Sequence, residues 1–417
     1  MPNAFLDAQV YANSMLYLVK NELVMGRLVN SKFVNQVNDE NGLTVRQKRP
    51  SRFVAKNGET LQTQDSINGF ETITVDQYKN VHLSIGDLEY IQSYNDLVAD
   101  TNMKSAAYAL AQSVDSYLHE KTLEFSNWVG TPGNAIGAPA QFNRGPERLD
   151  LLAVPQTDRG AALFTTDAYG ISDTLIDNNS ISDVARSALE RSQLPLLSST
   201  RAYMTQMSQQ ITLGSRSNGT VDGASQNVNY RDVKDSMTQT LNVAGLGGAG
   251  TVAAGEVFTI AGVQAVNPRT AESYDYLQQF TVTAAATAGG SGDAALTITP
   301  PIIVPGSGSG SDIDVNTAFA TVNAAPANGA AVTFLGTAST SYRYSTAFHK
   351  EAISLVFAKL RNPFTGEASF ATDPDTGVSV RYWRGSDIST GKHIHRWDMV
   401  FGASAMDPLL GVRISGT

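Results

Sequence analysis

Cysteine is absent from the 417 residues, so disulfides, thiolate zinc sites and cysteine nucleophiles are all excluded. Charge is sparse: Asp, Glu, Lys and Arg make up 17% of the chain, below the share usual for a globular domain. A surface with so few charges can be buried against copies of itself. Cations are the scarcer sign, with 30 Lys and Arg against 39 Asp and Glu, for a net charge of −9. A protein that condenses nucleic acid would be strongly basic, so that class is disfavoured, whereas a shell that encloses DNA without gripping it could carry this sign. No run of about 18 apolar residues occurs, and no transmembrane helix is expected. The first twenty residues lack a basic segment followed by a continuous apolar one, so a signal peptide is not expected either, and synthesis in a cytoplasm is the simplest reading. What the chain does have is 42% hydrophobic residues and length for two or three packed domains.

Apolar residues near the start (Phe5, Leu6, Val10, Met15, Leu16, Val19, Leu23, Val24 and Leu28) recur at helical spacing over residues 4–30. They predict one or two helices, packed on a core or reaching to a neighbouring subunit. Residues 42–90 differ. Arg46, Lys48, Arg49, Arg52 and Lys56 cluster around Pro50, and Asn57-Gly58 is a strong hairpin signal. Residues 72–75 and 80–85 are rich in β-branched side chains and predict strands. Together they predict a long exposed two-stranded excursion. Its basic cluster reads as a solvated face or as a contact with an acidic neighbour.

Residues 96–128 are the clearest helix. Met103, Ala107, Leu110, Val114, Tyr117, Phe125 and Trp128 recur at three- and four-residue spacing, Asp96 is a plausible N-cap, and Pro132-Gly133 stops the run. At 1.5 Å per residue it would span roughly 50 Å, a spine to which separate sheets could attach. The Gly-, Pro- and Ala-rich residues 131–147 predict a loop. Residues 161–165 predict a strand, 181–191 a helix, and Gln193-Leu194-Pro195 a turn. Residues 240–340 are poor in Lys and Arg, with strand-like runs at 255–260, 279–284, 295–299 and 331–335 and Gly/Ser clusters between them. That spacing predicts a small all-β domain, inserted with its two ends close together. Strands are expected again at 354–357, 378–383, 394–401 and 410–414.

Catalytic and metal signatures are weak. Gly245-Leu-Gly247-Gly248-Ala-Gly250 matches G-x-G-x-x-G, but a strand-like run follows it where a dinucleotide fold needs a helix, so a Gly-rich connector is the preferred reading. Gly391-Lys392-His393 lacks the Ser or Thr of a phosphate-binding loop and reads as a turn. His393 and His395 would share one strand face, yet no third metal ligand can be assigned. Asp373-Pro-Asp375-Thr-Gly377 lacks the closing Glu of a calcium loop and also reads as a turn. The sequons at Asn178 and Asn218 carry no meaning in a chain that is not secreted. Neither G-x-S-x-G nor H-E-x-x-H occurs. No enzyme is expected. The rival readings are a β-rich adhesin or other virion component, and a cytoplasmic hydrolase.

The order of parts resembles one known family. Residues 75–89, with Val75-Asp-Gln-Tyr-Lys-Asn-Val and His82-Leu-Ser-Ile-Gly-Asp-Leu-Glu, resemble the strand leading into the spine helix of P22-type coat proteins. Asp158-Arg159 with Ala161-Ala-Leu-Phe-Thr165 and Ala168-Tyr169 is similar to their post-spine strand. Phe258-Thr-Ile-Ala-Gly-Val263, Val266-Asn-Pro268 and Leu277-Gln-Gln-Phe-Thr-Val282 resemble the opening of their insertion domain, and Phe348-His-Lys-Glu-Ala-Ile-Ser-Leu-Val356 the re-entry after it. Asp387-Ile, Arg396-Trp-Asp398, Phe401-Gly and Asp407-Pro-Leu-Leu-Gly-Val-Arg413 resemble their closing strands. The resemblance implies the major capsid protein of a tailed bacteriophage, an α+β chain of HK97-like capsid fold with an inserted I-type β-domain. Its parts would be an N-terminal arm (1–45), an E-loop hairpin (46–80), a P domain with the spine helix (81–130), A/P segments (131–228), the inserted domain (229–342) and closing A/P strands (343–417). By the same resemblance Arg46, Lys48, Arg49, Arg52 and Lys56 would lie at a subunit interface, and Met103, Leu110, Val114 and Tyr117 would form the spine-helix core. The implied partners are copies of itself in hexamers and pentamers, a scaffolding protein, a portal, and packaged double-stranded DNA without sequence specificity. Cofactor, metal and membrane are absent from the implied set, and the place is the virion, assembled in the bacterial cytoplasm. The insert departs from the family pattern in its Gly/Ser-rich residues 285–311.

Overall fold

A computed structural model describes residues 8–31, 43–49, 51–56, 59, 64–86, 101–177, 196–207, 210–361, 363, 366–374, 376–387 and 389–417. The expected Asn57-Gly58 turn, the Asp96 N-cap, the 181–191 helix and the Gln193–Pro195 turn lie outside them. The chain divides into two compact units: residues 1–46, 72–119 and 353–404 form one, and residues 47–71, 120–352 and 405–417 the other.

In the first unit, helix α1 (Ala8–Glu22) buries Ala8, Tyr11, Ala12, Met15 and Val19, an i, i+3, i+4 stripe, while Val10 is exposed. The stripe lies on a sheet of its own unit. Tyr11 packs 5.2 Å from Tyr382, ring centre to ring centre, and Gln9 donates to the Phe370 carbonyl at 2.9 Å. Residues 8–22 therefore pack as a helix on the sheet of their own unit. A one-turn helix α2 (Met25–Leu28) follows. The sheet runs β19 (Ile353–Phe357), β22 (Lys392–Ala405), β21 (Ser379–Asp387), β20 (Glu367–Thr372), with β3 (Gln77–Gly86) on the other edge of β22. The predicted strands at 354–357, 378–383 and 394–401 fall inside it. The predicted strand at 80–85 does too, so β3 belongs to this sheet and is no arm of the hairpin.

The spine is helix α3 (Thr101–Lys121), about 30 Å at 1.5 Å per residue. It ends earlier than expected: Thr122–Glu124 tighten to a 3₁₀ turn and Asn127–Val129 form strand β4. Phe125 and Trp128 are buried, but off the helix. Met103, Leu110 and Val114 are buried, whereas Tyr117 is half-buried, its ring edge-on to Phe401 and its hydroxyl 3.3 Å from Asp76 Oδ1.

In the second unit a mixed sheet runs β4, β23 (Gly411–Ile414), β18 (Ser345–His349), β5 (Arg159–Phe164), β7 (Thr200–Thr205), β6 (Leu196–Leu197). Helices α4 (Pro139–Leu151) and α5 (Thr165–Asp177) flank it. The expected loop at 131–147 is thus largely helix. Pro139 sits in the first turn, where its missing N–H costs nothing, and Phe142, Gly145, Pro146 and Leu149 form the buried stripe. Gly145 is there for close approach: a Cβ would lie 2.2 Å from Ile414 Cδ1.

The β-rich stretch closes into a six-stranded barrel. Its strands are β9 (Gly219–Val221), β10 (Gln239–Ala244), β12 (Val257–Val266), β13 (Ser273–Val282), β15 (Ala294–Thr299) and β16 (Ala331–Phe334). Alternate side chains fill it, among them Leu241, Val243, Phe258, Ile260, Phe280, Leu296, Val332 and Phe334. The barrel begins with β9, upstream of the expected boundary at 229. A short strand pair, β11 (Thr251–Val252) with β14 (Ala286–Thr287), lies beside it. Below it, β8 (Gln210–Thr212) pairs antiparallel with β17 (Ser341–Arg343), so the chain enters and leaves the barrel through one hydrogen-bonded neck. The G-x-G-x-x-G run falls in the turn between β10 and β11, with Leu246 fully buried in the barrel core.

Candidate assembly surface

The ribbon is short where it is regular. β1 (Thr44–Lys48) pairs with β2 (Phe70–Thr74), flanked by a 2.8 Å bond from Arg49 N–H to the Gly69 carbonyl. Beyond that, Gln64 replaces a ladder. Its side-chain amide donates to the Val54 carbonyl at 2.6 Å and accepts from Val54 N–H at 3.1 Å. Among its described residues the ribbon pairs little with itself, and its other anchors lie in its own unit.

Helices α6 (Tyr230–Val233) and α7 (Asp312–Ala318) stack Tyr230 on Phe319, 3.6 Å apart and nearly parallel. Arg52 stands over the Phe319 ring at 5.5 Å and 3.8 Å from Asp407. Lys56 pairs with Asp314 at 2.5 Å, and Asp65 with Arg231 at 2.8 Å; the guanidinium holds the Asp65 carboxyl below its usual range. Arg49 is buried, salt-bridged to Glu71 and donating to the Lys234 carbonyl at 3.1 Å. Each exposed pair contributes only about 0 to 1 kcal/mol, so together they set where the ribbon lies more than how stable it is. A cavity of about 600 Å³ opens beside it, lined by Arg49, Arg52, Phe53, Tyr230 and Phe319 among others.

Of the five cations expected at an interface, then, Arg49, Arg52 and Lys56 meet carboxylates of their own chain, and Arg49 has no surface left to offer a neighbour. Arg46 and Lys48 are exposed. Sequence reasoning could not have found this, because Asp314 and Asp407 lie hundreds of residues downstream. Phe53, 60% exposed, is the apolar side chain on this surface that sequence reading missed.

His393 and His395 do share a face of β22, yet each bonds elsewhere: His393 Nδ1 to Ser386 at 2.9 Å, His395 Nδ1 to the Tyr382 hydroxyl at 2.6 Å. Burial pushes the His395 pKa down to about 4. No cluster of three potential metal ligands occurs among the described residues, and no helix among them is long and apolar enough to cross a membrane.

A family model described as P22 coat protein, gene protein 5, matches residues 3–416. The chain belongs to the P22 coat protein family. It is therefore a major capsid protein, a structural component of a phage virion with the HK97-like fold of that family, and not an enzyme. A search of curated proteins returns no match. Solved structures similar to this coat protein include that from Mycobacterium phage Che8, at 11% identity over 95% of this chain and 92% of that one, TM-score 0.45. The capsid of the cyanophage P-SCSP1u is similar at 10% identity over 95% and 88%, TM-score 0.42. The CUS-3 coat protein I-domain is similar at 28% identity over 29% of this chain and 96% of that one, TM-score 0.22.

Proposed function

We propose that copies of this coat protein close, as hexamers and pentamers, into an icosahedral shell around double-stranded DNA, held without sequence specificity. A scaffolding protein and a portal would guide assembly in the cytoplasm of a bacterial host. The observation that carries this reading is the family match from residue 3 to residue 416. The barrel acts as the inserted domain, a reading supported by the β8–β17 neck that brings its two ends together. The β1–β2 ribbon acts as the E-loop and α3 as the spine of the P domain. The interface role of the basic cluster then falls on Arg46 and Lys48 by their exposure, with Phe53, while Arg49 holds the ribbon's base. Association free energy summed over a closed shell does the work, so each contact can be weak. Negative-stain microscopy of the chain co-expressed with its scaffolding protein tests the proposal. Closed shells or capsomers are expected; compact monomers under all assembly conditions would overturn it.

A further inference from the structure

The five-stranded sheet has two unlike faces. One, bearing Tyr382, His395, Trp397 and Phe401, is covered by α1 and α3 through Tyr11 and Tyr117. The other is carried by alternate residues of the same strands, in register: Phe370 beside Arg381, Arg381 beside Asp398, Trp383 beside Arg396. On it Asp398, fully buried, accepts from both arginines: Arg396 Nε at 2.6 Å and Arg381 Nη2 at 2.5 Å. Both guanidinium groups also donate to the Tyr78 hydroxyl, at 2.9 and 3.2 Å, and both stand about 6 Å from the Trp383 ring. Lys359 extends the patch, 5.6 Å from the centre of Phe370. Tyr78 remains 45% exposed, and Ile394 at the far end of this face 38%.

We propose that this face is a docking surface for an acidic patch on a second copy of the coat protein. This rests on the self-assembly reading above. Three features favour that occupant. Trp, Tyr and Arg, the residue types that dominate interface energetics, are clustered here. Arg381, Arg396 and Tyr78 are held in place by bonds to one another and to a buried carboxylate, so little of their side-chain freedom is lost on docking. Three cations face one carboxylate, a local excess of positive charge in a chain of net −9, so copies attract one another at this patch. A duplex would use the cations but leave Trp383 and Tyr78 without a role.

The experiment uses shells assembled from mixed ¹⁴N- and ¹⁵N-labelled full-length chains, treated with a zero-length carbodiimide cross-linker. Cross-links from Lys359 to an Asp or Glu of a differently labelled copy are expected; Lys359 cross-links confined to one copy would overturn the proposal. In parallel, Arg396→Glu with Trp383→Ala should cut shell yield at least tenfold with the monomer's circular dichroism spectrum unchanged. Should that pair misfold, Lys359→Glu and Tyr78→Ser, both at exposed side chains, carry the test. Variant shells that form at wild-type yield but fail to retain DNA would assign the face to nucleic acid and overturn the proposal. Failure of the wild-type chain to assemble would strike the function itself, whereas normal assembly of every variant would strike this face alone.

Discussion

Arg413 on β23 should be the strongest single tie between barrel and sheet in the second unit. It is fully buried without a carboxylate partner. It donates to the Gly255 carbonyl at 2.7 Å, to the Phe125 carbonyl at 2.9 Å and to Thr281 Oγ1 at 3.1 Å, with its guanidinium 4.9 Å from the Trp128 ring. Arg413→Met keeps the length and removes the charge. Gly255 and Phe125 lose a charged donor, worth about 1.5 to 3 kcal/mol each. Phe125 keeps its bond from Thr281 at 3.0 Å, so its loss lies at the low end. The stacking on Trp128 adds up to about 2 kcal/mol. Against this, the variant escapes a burial penalty. Desolvation pulls the Arg413 pKa well below the usual guanidinium range, to about 10, a penalty of about 3 kcal/mol at 1.36 kcal/mol per unit. With the stacking at its full value the net expectation is a destabilisation of about 2 to 3.5 kcal/mol. Urea unfolding of the monomer, followed by tryptophan fluorescence with Trp383 and Trp397 replaced by Phe in both wild type and variant so that Trp128 alone reports, measures it. Arg413→Lys, which reaches fewer acceptors, should fall between. If Arg413→Met is as stable as wild type, desolvation outweighs the three hydrogen bonds and the tie contributes nothing.

Glu256 is fully buried and accepts from Arg216 at 2.7 Å, Gly214 N–H at 2.6 Å and Ala253 N–H at 2.7 Å at the barrel neck. Glu256→Gln leaves the Arg216 charge uncompensated and should cost about 3 to 5 kcal/mol, read as a lower melting temperature and early protease cleavage near residue 214. Leu110→Pro should cost about 3 kcal/mol or more and kink α3, giving aberrant particles by negative-stain microscopy where wild type gives regular ones. Asp115 on α3 accepts from Val24 N–H at 2.8 Å and Gly26 N–H at 3.1 Å, and burial pushes its pKa up to about 6 from 3.8. An acid whose pKa is higher folded than unfolded takes up a proton on folding between those values. Its contribution to stability therefore grows as pH falls from about 6 toward 3.8, by at most about 3 kcal/mol. Asp115→Asn should remove that growth, so the stability difference between wild type and variant must change between pH 7 and pH 4; parallel curves would refute it. Arg49→Glu places a second carboxylate beside Glu71 and should reduce soluble yield, whereas Lys48→Glu should leave monomer melting within about 0.5 kcal/mol and expose any interface role as lost assembly.

Much of the fold is legible in local pattern because local pattern decides it. The barrel strands alternate, the closing strands are β-branched, and the buried positions of α3 recur every three or four residues. Pattern failed where composition and packing disagree. Residues 139–151 carry two prolines and a glycine, which argue for a loop. The helix forms anyway because Pro139 stands in its first turn and the glycine lets it approach Ile414. The end of α3 was misplaced because Phe125 and Trp128 continue the helical spacing by chance while packing from a turn and a strand.

The candidate surface was less legible for a different reason. Charge clusters are visible in sequence, but their partners are not. Arg52 and Lys56 look like free cations until residues 407 and 314 are brought beside them. Arg381 does not stand out in the sequence, and Arg396 stands there only as part of a closing strand with Asp398 beside it. Once folded, Asp398 is buried and fixes both guanidinium groups on one face, with Arg396 the more exposed of the two. The basic run in the ribbon is largely spent within its own chain. In the sheet two guanidinium groups share the single carboxylate of Asp398, so the charge left over after intramolecular pairing, more than the density of charge along the sequence, determines which surface stays cationic.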